Sequence, residues 1–344
     1  MNIIYGLNGH GKTNIIEAIH FISSARSFRT SAQSDLVSWG TESCSAFGRV
    51  VDPLGDIEIG IVINNRRKEP YLNGDRVNAL SEYVGRLICL TFTPFDLELI
   101  KGAPVERRQF MDKHIVDLKP RFIKSLISYN KALKSKNALL QDHRVNVKDL
   151  ESWNAVLAGH GVEIVNERVN FIRELERAAN TVHARFAPSD GPLKLRLKSK
   201  YIEGESEAID QQGLFNLIQA SVHSDIQTRS SRIGPHKDDL EISYNQHATR
   251  NFASQGQSRS IVLSLKLAAL ELIEKERGTA PIVLLDDVDS ELDSERASAF
   301  FGSALSGSRQ VFITGTNPEM SRHFRARPHS IFEVNRGQIL RCDS

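Results

Sequence analysis

The chain has 344 residues, room for about two domains, with 40% hydrophobic and 25% charged side chains and a formal net charge of +2. A balance so near neutrality excludes a uniformly basic protein, so any surface for nucleic acid has to be a local patch. No apolar run approaches the ~20 residues of a membrane-spanning helix, and Cys44, Cys89 and Cys342 have neither disulfide-framework nor metal-ligand spacing, which points to a reducing cytoplasm.

In chain order, Met1 to Tyr5 reads as a strand that feeds Gly6-Leu7-Asn8-Gly9-His10-Gly11-Lys12-Thr13, a match to G-x-x-x-x-G-K-[ST]. The glycines allow backbone N–H groups to approach and cradle phosphates. Lys12 is expected to reach the β- and γ-phosphates, and the Thr13 hydroxyl to ligate Mg²⁺. The strand stands at the very start of the chain, where sheets of this kind carry earlier strands, so an N-terminal segment is expected to be missing. Asn14 to Ser24, with Ile15, Ile16, Ile19, Phe21 and Ile22, predicts a helix on a sheet, its N-terminus toward the phosphates.

Residues 43–75 alternate, with Ile57, Ile59, Ile61 and Ile63 on one face, and turns are predicted at Asp52 to Asp56 and at Asn73-Gly74. An antiparallel meander follows from this. Ile88 to Phe92 predicts a short buried strand. From about Pro104 to Thr228 the period becomes helical, with one stripe at Phe122, Leu126, Tyr129, Leu133 and Leu140 and a second at Val156, Ile164, Phe171 and Leu175 in a run from Ser152 to Phe186. Leu193, Leu195 and Leu197 predict a strand, and another helix begins near Leu214.

Ile282 to Leu285 is an apolar run that ends in Asp286-Asp287, the pattern of a buried parallel strand with carboxylates at its tip. Asp286 is expected to hold Mg²⁺ and Asp287 to orient or deprotonate the attacking water, with Lys12 as the second catalytic group. Upstream, Ser254-Gln255-Gly256-Gln257 opens a helix from Ile261 to Glu274; by itself it is equally the cap of an ordinary helix. Together the three elements predict a split ATP site in which Ser254 to Gln257 of one subunit closes on the nucleotide held by another. Ser290-Glu291-Leu292-Asp293 stands where a short loop meets the opposite subunit.

The expected fold is α/β: an ABC-type P-loop ATPase domain (a mixed sheet with flanking helices and an antiparallel β-meander) at 1–112 and 233–344, interrupted by a mainly helical insertion domain at 113–232. Taken together, these residues resemble the RecF family of bacterial recombination-repair proteins. Carrying the resemblance are Gly11 to Asn14, Glu17 to Ile19, Arg26-Ser27-Phe28-Arg29-Thr30, Thr93-Pro94-Phe95-Asp96-Leu97, Lys101 to Pro104, Arg107-Arg108 and Phe110 to Asp112. Tyr129, Asn137 to Leu140, Trp153, Gly161, Arg168, Gly234 to Leu240 and Phe252 to Gln257 continue it. The family usually has Phe where Asp289 stands, and Thr and Asp where this chain has Thr314-Gly315-Thr316-Asn317, a segment that takes the place of the histidine switch of transporter ATPases and could sense the γ-phosphate. The resemblance implies an ATP- and Mg²⁺-dependent homodimer with weak ATPase activity that binds gapped DNA at single-strand/duplex junctions. It further implies action with RecO and RecR to load RecA, and support of the SOS response, in the cytoplasm and with no membrane partner.

Local basic clusters supply the candidate DNA surface: Arg26 and Arg29, then Lys119, Arg121, Lys124, Lys131, Lys134 and Lys136, then Lys194, Arg196, Lys198 and Lys200. Runs of this kind are more often solvated faces than phosphate contacts. Competing readings are a Rad50-like or SMC-like ATPase, disfavoured by the lack of heptads and of a C-x-x-C hook, a transporter ATPase, and an ATP-binding DNA clamp with negligible turnover.

Overall fold

The computed structural model describes residues 1–30, 32–51, 55–65, 67–142, 145–186, 191–202, 209–245, 247–287, 300–302, 309–317 and 328–342. The chain forms two compact units, Met1–Asp96 with Ile273–Ser344, and Leu97–Leu272. Its strands are β1 (Asn2–Tyr5), β2 (Ser43–Val50), β3 (Ile57–Asn64), β4 (Arg67–Leu72), β5 (Asp75–Arg76), β6 (Cys89–Phe92), β7 (Leu193–Lys198), β8 (Asp239–Tyr244), β9 (His247–Ala248), β10 (Ile282–Leu285), β11 (Val311–Gly315), β12 (Ser330–Asn335) and β13 (Gln338–Cys342). Its helices are α1 (Lys12–Ser24), α2 (Leu80–Tyr83), α3 (Glu98–Lys101), α4 (Pro104–Leu118), α5 (Phe122–Gln141), α6 (Val147–Phe186), α7 (Gln211–Ala220), α8 (Val222–Thr228), α9 (Thr249–Phe252) and α10 (Gln255–Arg277). No helix among the described residues is long and apolar enough to cross a membrane.

The first unit is built on a six-stranded sheet of order β13-β12-β1-β11-β10-β6. Five strands run parallel, and β13 closes the edge antiparallel to β12. Parallel strands are covered on both faces and so read as unbroken apolar runs. β6, with Cys89 to Phe92 wholly buried, and β10, with Val283, Leu284 and Leu285 inaccessible, follow that rule. Helix α1 lies between this sheet and the antiparallel sheet β2-β3-β4-β5. It buries Ile16, Phe21 and Ile22 fully, whereas the expected Ile15 and Ile19 are only half-buried. Ile59, Ile61 and Ile63 form the inner row of the meander. Asn73 and Gly74, both at positive φ, make its predicted turn; residues 52–54 of the other expected turn lie outside the described residues.

The second unit packs α5 and α7 on α6, with α4 beside it, and adds the sheet β7-β8-β9. The predicted helix from Ser152 begins earlier, at Val147. Val156 is 40% exposed, and Leu157 takes its inward place. At 3.6 residues per turn Leu157 stands about 20° from the Ile164 direction and Val156 about 80° away. On α5 the innermost row is Phe122, Ser125, Tyr129, Ala132, Lys136 and Leu140, with Leu126 and Leu133 at its margin. Lys136 therefore does not belong to a basic surface. Its ammonium is fully buried and donates to Asp225 at 2.8 Å and to Ser231 at 3.3 Å.

Several of the motif residues meet inside this unit. Arg168 donates to Asp112 through Nε (2.8 Å) and Nη2 (2.9 Å), and through Nη1 to the Pro235 carbonyl (2.7 Å). Burial opposes the charge of Arg168, but Asp112 and Asp238 hold its pKa above the ordinary value. Tyr201 donates to Asp238 at 2.6 Å, and Tyr129 meets His236 Nδ1 at 2.7 Å. Gly234, at φ 133, lies so close to the Tyr129 hydroxyl that a Cβ would collide with it. Arg107 pairs with Asp239 at 2.6 Å and ties α4 to β8. These links hold residues on both sides of the expected divisions at 112/113 and 232/233 in the one compact unit Leu97–Leu272.

Candidate nucleotide site

The loop Gly6–Thr13 leaves the C-terminal end of β1 and enters α1 at Gly11, with no side chain capping the helix. That leaves first-turn N–H groups for an anion. Gly6 is required by a close approach: a Cβ there would run into the carbonyl oxygen of Val334 on β12. The β12–β13 turn also touches the loop, since the Gly337 N–H donates to the His10 carbonyl at 3.0 Å. Leu7, Asn8 and Gly9 are exposed, whereas Lys12 is buried and folds its ammonium back on the loop carbonyls of Gly6 (2.7 Å) and Leu7 (3.1 Å).

Strand order brings the carboxylates to this loop. β11 separates β1 from β10, so the tips of the two outer strands flank the tip of β11. Thr13 on α1 donates to Asp286 Oδ1 at 3.1 Å, 273 residues away in sequence. Thr314 on β11, 1% exposed, donates to the same oxygen at 2.7 Å and accepts from the Asp287 N–H at 3.0 Å. Asp287 is held at φ 52, a left-handed conformation that a non-glycine residue adopts at a cost. Burial pushes the Asp286 carboxyl above its usual range, and the neighbouring Asp287 charge adds to this; the hydrogen bonds from Thr314 and Thr13 and the charge of Arg29 oppose it.

Thr314 belongs to the Thr314–Asn317 segment expected to sense the γ-phosphate; its bonds to Asp286 and Asp287 are what the sequence does not show. Arg29, expected on a DNA surface, donates to Asn14 Oδ1 (3.0 Å) and pairs with Glu17 (3.3 Å), which also accepts from Ser27, beside the start of α1.

An oxygen-only donor set of one hydroxyl and one carboxylate suits Mg²⁺, which takes few protein ligands and completes its shell with water and phosphate oxygens. The raised Asp286 carboxyl beside a second acid is a site whose charge a divalent cation would offset. Among the described residues no group of three His, Cys, Asp or Glu side chains forms a separate metal cage.

Ser254–Gln257 belongs to the second unit, at the exposed N-terminus of α10. Ser254 Oγ accepts from the Gln257 N–H (3.2 Å), and Gln257 Oε1 accepts from the Ser254 N–H (2.9 Å), a reciprocal capping box. The bland expectation for this element, a helix cap, is therefore satisfied, and the cap leaves the remaining first-turn N–H groups at the surface. Asp289 and Ser290 to Asp293 lie outside the described residues.

The sequence pattern described as the RecF/RecN/SMC N terminal domain matches residues 1–339. A DNA replication and repair protein RecF of Myxococcus xanthus (strain DK1622) is 32% identical over 348 residues, covering 99% of this chain and 92% of that protein. Its counterpart in Streptococcus pyogenes serotype M5 (strain Manfredo) is 34% identical, covering 98% and 92%. Among solved structures, the recombination mediator protein RecF with ATP, from the RecFOR pathway, superimposes with a TM-score of 0.89 at 30% identity, over 99% of this chain and 91% of that one. An Smc head bound to the C-terminal winged-helix domain of ScpA, at 18% identity and a TM-score of 0.53 over 99% of this chain and 90% of that one, shares the fold alone. With a loop-and-carboxylate site on an ABC-type α/β sheet and relatives of this identity along nearly its whole length, the chain belongs to the RecF family of DNA replication and repair proteins.

Proposed function

We propose that this chain is an ATP-dependent DNA-binding protein of recombinational repair, one that pairs with a second copy when ATP is bound and turns the nucleotide over slowly. The observation that carries the reading is the bridge from Thr13 to Asp286, which joins the phosphate loop to the carboxylate strand. In this reading Gly6, Leu7, Asn8, Gly9, His10 and Gly11 wrap the triphosphate, and Lys12 turns from its loop carbonyls to the β- and γ-phosphates. Thr13 and Asp286 hold Mg²⁺, which when bound neutralises charge developing on the transferred phosphoryl group. Asp287, fixed by Thr314, orients the attacking water or takes its proton. Ser254, Gln255, Gly256 and Gln257 of a second copy close on the γ-phosphate through the α10 N-terminus.

The ATPase and helical-insertion assignment given above belongs to the same proposal. So do the partners: gapped DNA at single-strand/duplex junctions, RecO and RecR, loading of RecA, a place in the SOS response, and a cytoplasmic location. Support comes from the identity to RecF proteins and from the RecFOR pathway named for the solved RecF–ATP structure.

Sedimentation of the wild type and of S254R, with and without Mg-ATP, tests the pairing. The wild type is expected to dimerise with ATP, while S254R binds ATP and stays monomeric. An ATP-linked dimer that survives S254R contradicts action in trans. D287A separates this reading from a clamp with negligible turnover: an unchanged hydrolysis rate removes Asp287 from the chemistry and favours the clamp.

A further inference from the structure

The hairpin of β12 and β13 holds the phosphate loop at both ends. The Val334 carbonyl lies against Gly6, and the Gly337 N–H in the turn donates to the His10 carbonyl at 3.0 Å. Gly337 also faces Gly11, since a Cβ on Gly11 would stand 3.8 Å from the Gly337 Cα. In the sheet, β12 borders β1 on one side, while β11 and β10 lie on the other. The turn Arg336-Gly337 therefore meets the loop across β1 from the carboxylates of Asp286 and Asp287.

The first residue of that turn breaks a pattern. Among the described residues four hairpins close through two-residue turns, with Asn64 opposite Arg67, Leu72 opposite Asp75, Tyr244 opposite His247 and Asn335 opposite Gln338. Each holds its first turn residue in the left-handed region, at φ 47, 52, 49 and 48. That conformation suits glycine and asparagine, and the first three turns use Asn65, Asn73 and Asn245. The fourth uses Arg336, which carries the backbone cost without the local advantage of an asparagine. Its side chain is exposed and forms no ion pair or hydrogen bond among the described residues. Nothing in the hairpin itself calls for a cation at this place.

A nucleotide in the loop supplies the reason. Lys12 is the cation inside the loop, and Arg29 beside the start of α1 is already paired with Glu17. In the reading above, Lys12 and the divalent cation at Thr13 and Asp286 serve the β- and γ-phosphates, which lie toward the carboxylate side. The α-phosphate is left without a charged partner. A guanidinium suits it, being always charged, planar and able to present a fork of donors to phosphate oxygens from a long stem. We propose that Arg336 binds the α-phosphate of the nucleotide, so that the β12–β13 hairpin forms a wall of the site. The inference rests on the nucleotide-binding reading and adds to it a residue outside the loop, the carboxylate strand and the serine-bearing helix.

The test is R336N, which removes the cation and installs the residue that the other three turns use. It is expected to melt no lower than the wild type, so a loss of binding cannot be laid to a damaged turn. Displacement of a fluorescent ATP analogue by ATP, ADP and inorganic triphosphate reads the contact. All three should lose about tenfold in affinity, while turnover at saturating ATP stays at the wild-type value, the mark of a contact made equally in ground and transition states. Unchanged affinity for ATP overturns the proposal. A loss for ATP and ADP with none for inorganic triphosphate places Arg336 on the nucleoside instead, and a loss for ATP with none for ADP places it on the γ-phosphate; either result overturns the α-phosphate assignment, as does a fall in turnover at unchanged affinity. If the wild type itself binds no nucleotide, the functional reading fails and this inference falls with it.

Discussion

Replacing Thr314 by valine removes one hydroxyl and almost no volume from the floor of the nucleotide site. That hydroxyl donates to Asp286 at 2.7 Å and accepts from the Asp287 N–H at 3.0 Å, and the residue is 1% exposed. A hydrogen bond to a charged group contributes about 1.5–3 kcal/mol, and an N–H left without a partner costs about 1–3 kcal/mol. The expected loss of stability is therefore about 3–5 kcal/mol, a large share of the ~5–15 kcal/mol typical of a folded domain. The functional loss has a separate source. Asp287 sits at φ 52, a strain of about 1–3 kcal/mol that persists only while its surroundings hold it. Without the Thr314 bond the backbone can relax and carry the carboxylate off line. A tenfold to hundredfold fall in turnover, about 1.4–2.7 kcal/mol in the barrier, is expected. Affinity for ATP without Mg²⁺ should change little, because Lys12 and the loop are untouched. Single-turnover hydrolysis, binding of a fluorescent ATP analogue and urea unfolding together read these quantities, and T314S should recover most of each. T314V that hydrolyses ATP and unfolds like the wild type would refute the argument.

Three further outcomes are expected. K136M should destabilise the second unit by about 3–5 kcal/mol in urea unfolding, since it strands the buried Asp225; the K136M/D225N double change should cost less, and neither should alter the salt slope of DNA binding. His114 and His236 are both pushed down to about 4 by burial. Below the ordinary value near 6.5 the unfolded chain takes up protons that the native state refuses. Stability should therefore fall as pH drops from about 6.5 toward 4, by about 1.4 kcal/mol per pH unit for each histidine; urea midpoints at pH 7, 6 and 5 that stay level contradict this. G6A should lower nucleotide affinity at least tenfold, about 1.4 kcal/mol, because its Cβ meets backbone on β12; titration with the same fluorescent analogue checks it, and wild-type affinity would show that the loop can yield.

The parts of the site legible in the sequence are those whose chemistry is contiguous. Gly6 to Thr13, Asp286-Asp287 and Ser254 to Gln257 each place their groups within one turn or one strand tip, so spacing alone exposes them. Thr314 was legible as part of a γ-phosphate-sensing segment, but its bonds to Asp286 and Asp287 depend on β11 lying between β1 and β10, an order that no local period encodes. Lys136 misled for the opposite reason: a lysine among lysines on a helix reads as solvated, and only the burial of Asp225 on α8 turns it inward. The helical stripes were placed to within one residue, yet one residue on a helix is about 100°, which is why Val156 and Leu157 exchanged places. The compact units were not legible because Arg107, Asp112, Arg168 and Asp239 bind together segments that composition assigns to different halves.

The order of strands also sets a timetable for synthesis. β1 leaves the ribosome long before its two lateral neighbours, β11 and β12. β6 waits from Phe92 to Ile282 for β10, while the intervening residues 97–272 can condense on their own as they emerge. A nascent chain therefore displays, through most of its translation, a bare apolar strand and an unformed phosphate cradle. The backbone against which Gly6 packs arrives only with β12, so a chain cut short before it is expected to be a helical unit joined to an aggregation-prone remnant.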